Sequence, residues 1–270
     1  MSEDTSVAVG PWDLVAEGYA EAGAAVFGPF AAHALEYVEL AADSEIVDVA
    51  AGSGLLSLAA AERGARVQAL DLSPAMVEQL TAAAERAGHT TITAQVGDGQ
   101  RLPYPDDTFD AGFSLFGLMF FADRPRGFAE LRRVLRPGAT AVVTSWAPAV
   151  DSSLMRALFG ALTAGDPNSS LPQPNASSLE NPALFRSEMS EAGFEAVTIR
   201  PHTVEVCFPS AAVLWDTMTR SSAPLTVLRH EVGEAEWQRR TDAAVERLTA
   251  TYRADTPLRT TALVGTGTAP

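Results

Sequence analysis

The sequence predicts an α/β fold, a mostly parallel sheet with helices on both faces, and three observations predict it. Residues 45–72 read as strand, glycine turn, helix and strand in immediate succession, the unit that makes a parallel crossover. Apolar runs of strand length recur at 46–51, 65–70, 92–96, 111–116 and 140–146, most of them divided by segments of helical spacing. With 270 residues and 47% apolar content, the chain can bury a substantial core, which favours one α/β unit with additions over two domains.

Residues 12–40 carry Trp12, Leu14, Tyr19, Val26, Phe27, Phe30 and Leu35 at roughly helical intervals around Gly28-Pro29, which predicts two or three short helices before the first strand. The run 46–51 fits a strand buried on both faces, Gly52-Ser53-Gly54 ends it, and an Ala/Leu-rich helix follows to Arg63. Lacking a Cβ, Gly52 and Gly54 let the backbone turn sharply and approach a ligand, while the free amides of the next helix favour an anionic group. Asp71 closes the second strand, seventeen residues after Gly54, where a carboxylate can accept two ribose hydroxyls. Ser57 stands where a dinucleotide fingerprint has its third glycine, so a nicotinamide site is disfavoured.

Ser73-Pro74 starts a helix to about residue 87, and a third strand, 92–96, ends at Gly97-Asp98-Gly99. The fourth strand, 111–116, exits into the apolar stretch Leu115-Phe-Gly-Leu-Met-Phe-Phe121. Helix 125–135 and strand 140–146 follow, then helix 152–164 and a Pro/Ser/Asn-rich loop, 165–178, read as a mobile lid or a surface linker. Helix 181–192, a β run over 196–208, helices 211–220 and 234–253 and a strand at 258–265 complete the chain, with His230 on a helix and His202 in a strand.

Composition narrows the function. A net charge of -15 repels nucleic-acid backbones and anionic membranes. All 19 basic residues are Arg, which excludes a lysine Schiff base and a Walker A lysine. Cys207 stands alone, so an intrachain disulfide and a Cys-rich zinc site are excluded. No apolar stretch reaches membrane-spanning length and the N-terminus is acidic, so a cytoplasmic enzyme with no membrane insertion and no nucleic-acid partner is expected.

Asp48-x-Ala50-x-Gly52-x-Gly54, Asp71, Gly97-Asp98-Gly99, Leu102-Pro103 and Phe109-Asp110 occur in that order. Together they resemble the signature of class I S-adenosylmethionine-dependent methyltransferases, in particular the branch holding the ubiquinone and menaquinone C-methyltransferases and many small-molecule O-methyltransferases. The resemblance covers roughly residues 47–146. It implies a Rossmann-like seven-stranded sheet of order 3-2-1-4-5-7-6 with an N-terminal helical cap. The expected layout is a single methyltransferase domain over 1–270, with cap 1–44, cofactor-binding core 45–146 and substrate-side helices and edge strands 147–270.

The resemblance also implies that S-adenosylmethionine is held by Tyr19, Ala50, Gly52, Gly54, Asp71, Leu72, Met76, Asp98, Gly99 and Ser114. Asp98 would accept the exocyclic adenine amine, Met76 would lie against the ring, and Tyr19 would touch the methionine end; the alternative for Met76 and Tyr19 is plain core packing. Trp12, Phe116, Met119 and Trp146 are expected to form the substrate pocket. Ser114-Leu115-Phe116-Gly117 replaces the polar motif of amide and nucleobase N-methyltransferases, and hard oxygen ligands are missing at this exit, so no metal is expected.

The function expected is methyl transfer to a small, mainly apolar or aromatic acceptor, O-methylation first, with C-methylation of a quinone-like carbon as the alternative. A non-catalytic cofactor-binding protein is the reading from another class. If the acceptor is a hydroxyl, His33 is the candidate base, with Phe30 and Tyr37 on nearby turns of the same helix. A homodimer is compatible with these features.

Overall fold

The computed structural model describes residues 10–163, 173–254 and 256–270. The cap is α1 (Pro11–Ala22) and α2 (Ala24–Ala34), closed by a 3-10 turn at Leu35–Tyr37. The central part runs β1 (Glu45–Val49), α3 (Leu55–Glu62), β2 (Arg66–Asp71), α4 (Pro74–Ala87), β3 (Ile92–Val96), β4 (Phe109–Leu115), α5 (Arg124–Arg133) and β5 (Leu135–Trp146). Then come α6 (Ser153–Leu162), α7 (Pro182–Glu191), β6 (Glu195–Val206), α8 (Ala211–Arg220), α9 (Ala223–Val232), α10 (Glu234–Thr251) and β7 (Leu258–Thr268). The seven strands make one sheet in the order β3-β2-β1-β4-β5-β7-β6, as expected. The first five pair in parallel, and β7 lies antiparallel between β5 and β6.

Period-two alternation splits the strands between two cores. Ile46, Val67, Ala111 and Val142 pack under α2, α3 and α4 with Ala31, Leu56, Ala60 and Leu80. Val47, Val49, Ala141 and Val143 face the other way, onto Phe128 and Leu131 of α5 and Phe185 and Met189 of α7. The helical layer thus changes face between β1 and β4, and the crevice beyond the carboxyl ends of those two strands is the topological switch point where such sheets bind ligands. A third core, built by α6, α8 and α10, closes on Phe30, Phe116 and Ala262 at that end of the sheet.

Helix starts follow side-chain chemistry. Ser73, Asp123, Ser152, Asn181 and Ser210 each accept a backbone N–H in the first turn of their helix, satisfying one of its free amides. Three boundaries differ from expectation. β5 begins at Leu135, because Gly138 at φ +86° allows a register shift that keeps the strand going through the predicted turn. α9, around His230, is a separate helix whose Pro224 stands in its first turn. β7 extends to Thr268. The expected lid or linker falls largely on residues 164–172, outside the described residues.

Gly54 links the glycine turn to this core. It caps α3 at φ +90°, and a Cβ there would lie 2.5 Å from the Leu80 Cγ of α4. Gly54→Ala should therefore cost about 1–3 kcal/mol, from a left-handed conformation plus overpacking. Urea unfolding monitored by circular dichroism should show a lowered midpoint at unchanged slope; an unchanged midpoint would show that Leu80 repacks without cost.

Candidate active site

A cavity of about 270 Å³ opens at the β1/β4 switch point, and the carboxyl ends of β1 to β4 all contribute to it. Ala50 and Gly52 come from the turn after β1, Asp71 and Leu72 from the end of β2, Gly97 to Gln100 from the end of β3, and Leu115 to Gly117 from the exit of β4. Trp12 and Tyr19 of α1 close it from above, and Met76 of α4 and the aromatics Phe120 and Phe121 complete the wall.

The turn after β1 is anchored by a carboxylate. The Gly52 N–H donates to Asp71 Oδ2 at 2.8 Å, and the Ser73 N–H donates to Asp71 Oδ1 at 2.9 Å. Each oxygen keeps a lone pair for a hydroxyl in the cavity, which suits a ribose. Burial raises the pKa of Asp71, and the two amide bonds work against that rise.

Asp98, at the other end, accepts the Gln100 backbone N–H at 2.9 Å and the Gln100 side-chain amide at 3.0 Å, both on Oδ1. These bonds lower its pKa, so it stays an acceptor at neutral pH. Gly99 is crowded, since a Cβ there would lie 2.5 Å from Phe121 Cζ and 2.7 Å from Val49 Cγ1. The residues present fit an adenosyl group: a carboxylate with two open lone pairs for the ribose, a second for an amine, and apolar Met76 and Leu72 for a planar ring.

Two non-glycine residues in the left-handed region flank the opening, Ala50 at φ +58° and Phe116 at φ +56°. They sit at the exits of the two switch-point strands, where strain of about 1–3 kcal/mol each marks a built site. Phe116 stacks on Trp146 at 4.1 Å and meets Phe27 and Phe30 edge-on at 5.6 and 5.3 Å. Tyr19 stacks on Phe27 at 5.0 Å, and Trp12 meets Phe120 at 5.2 Å. Burial and the nearby Asp71 charge push the Tyr19 hydroxyl pKa up, which keeps it neutral.

Of the residues singled out from sequence, Trp12, Tyr19, Ala50, Gly52, Asp71, Leu72, Met76, Asp98, Gly99 and Phe116 line this cavity. Five do not. Gly54 is spent on the cap of α3 and the contact with Leu80. Ser114 is fully buried, its Oγ accepting the Leu118 N–H at 3.2 Å, because strand alternation turns it away from the opening. Met119 packs into the core, with the Ser145 hydroxyl donating to its sulfur at 3.7 Å. Trp146 stands behind Phe116 and supports it from the far side.

His33 is the fifth. Its ring lies flat on His202 of β6 at 3.6 Å, Nδ1 is 2.9 Å from Glu36 Oε2, and Nε2 is 3.3 Å from the Tyr37 hydroxyl. α2 turns this residue toward the edge strand, so it is not placed as a base for this cavity.

Asp13 escaped the sequence reading, although its place three residues after Gly10 and in the first turn of α1 was a visible signal. Its Oδ1 accepts the Ser73 hydroxyl at 2.5 Å and the Ala75 N–H at 3.3 Å, fastening α1 to the start of α4 at the cavity's edge. Gln100 was likewise not singled out, whereas Phe120 and Phe121 belong to the apolar stretch noted at the β4 exit.

Beneath the glycine turn, Asp48 is 1% exposed and accepts the Ser57 hydroxyl at 2.7 Å. Burial pushes its pKa up to about 7, with the Asp71 charge adding to the rise and the Ser57 bond opposing it. Among the described residues no group of three or more His, Cys, Asp or Glu could hold a metal ion, and no helix is long and apolar enough to cross a membrane.

Residues 47–143 match a family model described as a methyltransferase domain. The chain is 37% identical over 119 residues to demethylmenaquinone methyltransferase of Deinococcus radiodurans, a match covering 43% of this chain and 47% of the relative. It is 32% identical over 142 residues to malonyl-[acyl-carrier protein] O-methyltransferase of Serratia marcescens, covering 53% and 51%. The chain thus spans about half the length of these curated relatives. In three dimensions it is similar to a putative methyltransferase from Bacillus halodurans, with TM-score 0.55 and 18% identity over 89% of this chain and 98% of that one, a likeness of fold.

Asp48 ties this site to pH. The folded chain keeps a proton on Asp48 up to about pH 7, whereas an unfolded chain loses it near an ordinary carboxyl value of about 3.9. The folded state therefore binds more protons between those values, and this group's contribution to stability falls as pH rises through that window. Asp48→Asn keeps an acceptor for Ser57 without the titration. Its melting temperature should exceed that of the wild type at about pH 8, and the gap should close toward about pH 4; an equal gap at both would place the proton elsewhere.

Proposed function

We propose that this chain, whose residues 47–143 belong to the methyltransferase-domain family, methylates a small, mainly apolar or aromatic acceptor at an ionised oxygen. The observation that carries the reading is the composition of the cavity, two carboxylates at one side and an aromatic wall at the other. S-adenosylmethionine, when bound, supplies an electrophilic methyl group. Asp71 would hold its ribose and Asp98 its adenine, with Met76 and Leu72 beside the ring. Leu115, Phe116, Phe121 and Trp12 then exclude water from the β4 exit and hold a flat acceptor in line, which is most of what such a transfer requires.

The acceptor's ionisation falls to the acceptor itself. Among the described lining residues the titratable groups are Tyr19, Asp71 and Asp98. Asp71 and Asp98 serve the cofactor, and Tyr19, with its pKa raised, is a poor base at neutral pH. An acidic hydroxyl or a carboxyl meets this condition. The same observation favours a second reading, methylation of an electron-rich ring carbon of a quinol-like acceptor, which the similarity to a demethylmenaquinone methyltransferase also supports.

The test is incubation of the purified chain with S-adenosylmethionine and a panel of phenols, carboxylic acids and quinols, with products read by mass spectrometry and NMR. A new O–CH3 signal supports the first reading, a C–CH3 signal the second, and no cofactor binding by calorimetry overturns both.

Asp71→Ala should weaken S-adenosylhomocysteine binding about ten- to a hundredfold, because it removes charge-assisted hydrogen bonds worth about 1.5–3 kcal/mol. Calorimetry on a variant whose circular dichroism matches the wild type checks this. Unchanged affinity would remove Asp71 from the ribose.

A further inference from the structure

A second cavity, of about 330 Å³, lies where α6 and the end of α10 meet the start of β7, and it shares no lining residue with the first. Arg156, Arg247 and Arg253 line it together with Thr251, Thr256 and Leu258. In a chain of net charge -15, three cations converging on one cavity need an explanation.

Of the other sixteen arginines, half reach a side-chain carboxylate among the described residues and half do not, so what sets these three apart is that they meet at one cavity. Arg124, Arg133, Arg136, Arg220, Arg229, Arg239, Arg240 and Arg259 each reach a carboxylate. Among the described residues, no carboxylate pairs with Arg156, Arg247 or Arg253. Two are steered by backbone instead. An Arg156 Nη donates to the Val150 carbonyl, and Arg253 Nη1 donates to the Tyr252 carbonyl at 3.0 Å, acceptors that carry no charge of their own. Arg247 makes no side-chain hydrogen bond among the described residues.

We propose that this cavity binds a phosphate-bearing small molecule. Guanidinium forks match the oxygens of a phosphate in pairs, and a phosphate dianion offsets more of the charge of three guanidiniums than a single carboxylate would. The hydroxyls of Thr251 and Thr256 add neutral donors, and Leu258 gives an apolar surface for an organic part that the volume has room for. The charge of the chain as a whole repels anions, so the site acts through local geometry, and its affinity falls as salt rises.

Calorimetric titration of the full chain with inorganic phosphate, then with glycerol 3-phosphate and adenosine monophosphate, tests this. Saturable phosphate binding is expected, tighter for one of the two esters, and which one separates a nucleotide from a non-nucleotide ligand. Arg247→Gln should weaken binding about tenfold, the loss of one charge-assisted partner. Arg240→Gln on the same helix, where the arginine is paired with Glu236, should change it less than about twofold. In the wild type, phosphate should also shield Arg156, Arg247 and Arg253 from phenylglyoxal, read by peptide mass spectrometry, a measurement that needs no variant. No saturable binding up to about 10 mM, equal losses in the two variants, esters no tighter than phosphate, or no shielding would each overturn the proposal.

Discussion

The carboxylate of Asp71 sets the geometry on which the rest of the site depends. It receives one amide from the turn after β1 and one from the entry to α4, so a single side chain at the end of β2 fixes two neighbouring strand exits. Each such bond to a charged acceptor is worth about 1.5–3 kcal/mol. That is enough to offset the cost of about 1–3 kcal/mol for Ala50 in the left-handed region at the same turn. The strain is held locally, by a group that also presents its free lone pairs to the cavity.

The cap is docked on the same point. Ser73 donates its backbone N–H to Asp71, donates its hydroxyl to Asp13 and accepts the Met76 N–H, so one residue joins β2, α1 and α4. The Ser73 bond lowers the pKa of Asp13, while the Asp13 charge contributes to the rise at Asp71. The two carboxylates are therefore coupled by charge across Ser73, whose hydroxyl bonds Asp13 and whose backbone N–H bonds Asp71. Farther along the cap the attachment is apolar, running from Tyr19 through Phe27 to Phe116 and Trp146 by ring contacts of 5.0, 5.6 and 4.1 Å. Polar at the β2 end and aromatic at the β4 exit, the contact of cap and sheet repeats the division of the cavity itself.

The first crossover, with Asp71 at its end, was legible because it rests on local signals, whereas the strand order came from the resemblance. Val47, Asp48, Gly52 and Asp71 stand within one crossover whose period and turn chemistry are short-range. What escaped depends on orientation across elements. Nothing in the sequence around Ser114 says that alternation turns it inward, and Trp146 differs from a pocket wall only because Phe116, in a left-handed conformation, stands in front of it. His33 looked placed for chemistry because Phe30 and Tyr37 share its helix, but the rotation of α2 against β6 brings it onto His202 instead. Asp13 lies sixty residues from Ser73, a separation no periodicity reports.

The division of labour at the cavity bears on how selectivity arises. The polar groups that line it are committed to the β2 and β3 ends, and the β4 end offers Leu115, Phe116 and Gly117. Gly117 has no freedom to become larger, since a Cβ there would collide with the Cβ of Ala50. The two strained exits thus interlock, and the width of the opening is set by backbone. Side-chain variation that adapts such a site to a different acceptor must come from the movable wall: Trp12 in the cap and the exposed Phe120, with Phe116 held from behind by the core of α6, α8 and α10. The variable wall of the cavity thus lies in the helical layers, whereas its fixed polar end lies in the sheet. The match to the methyltransferase-domain model, confined to residues 47–143, takes in the sheet end of the cavity but neither Trp12 nor the core of α6, α8 and α10.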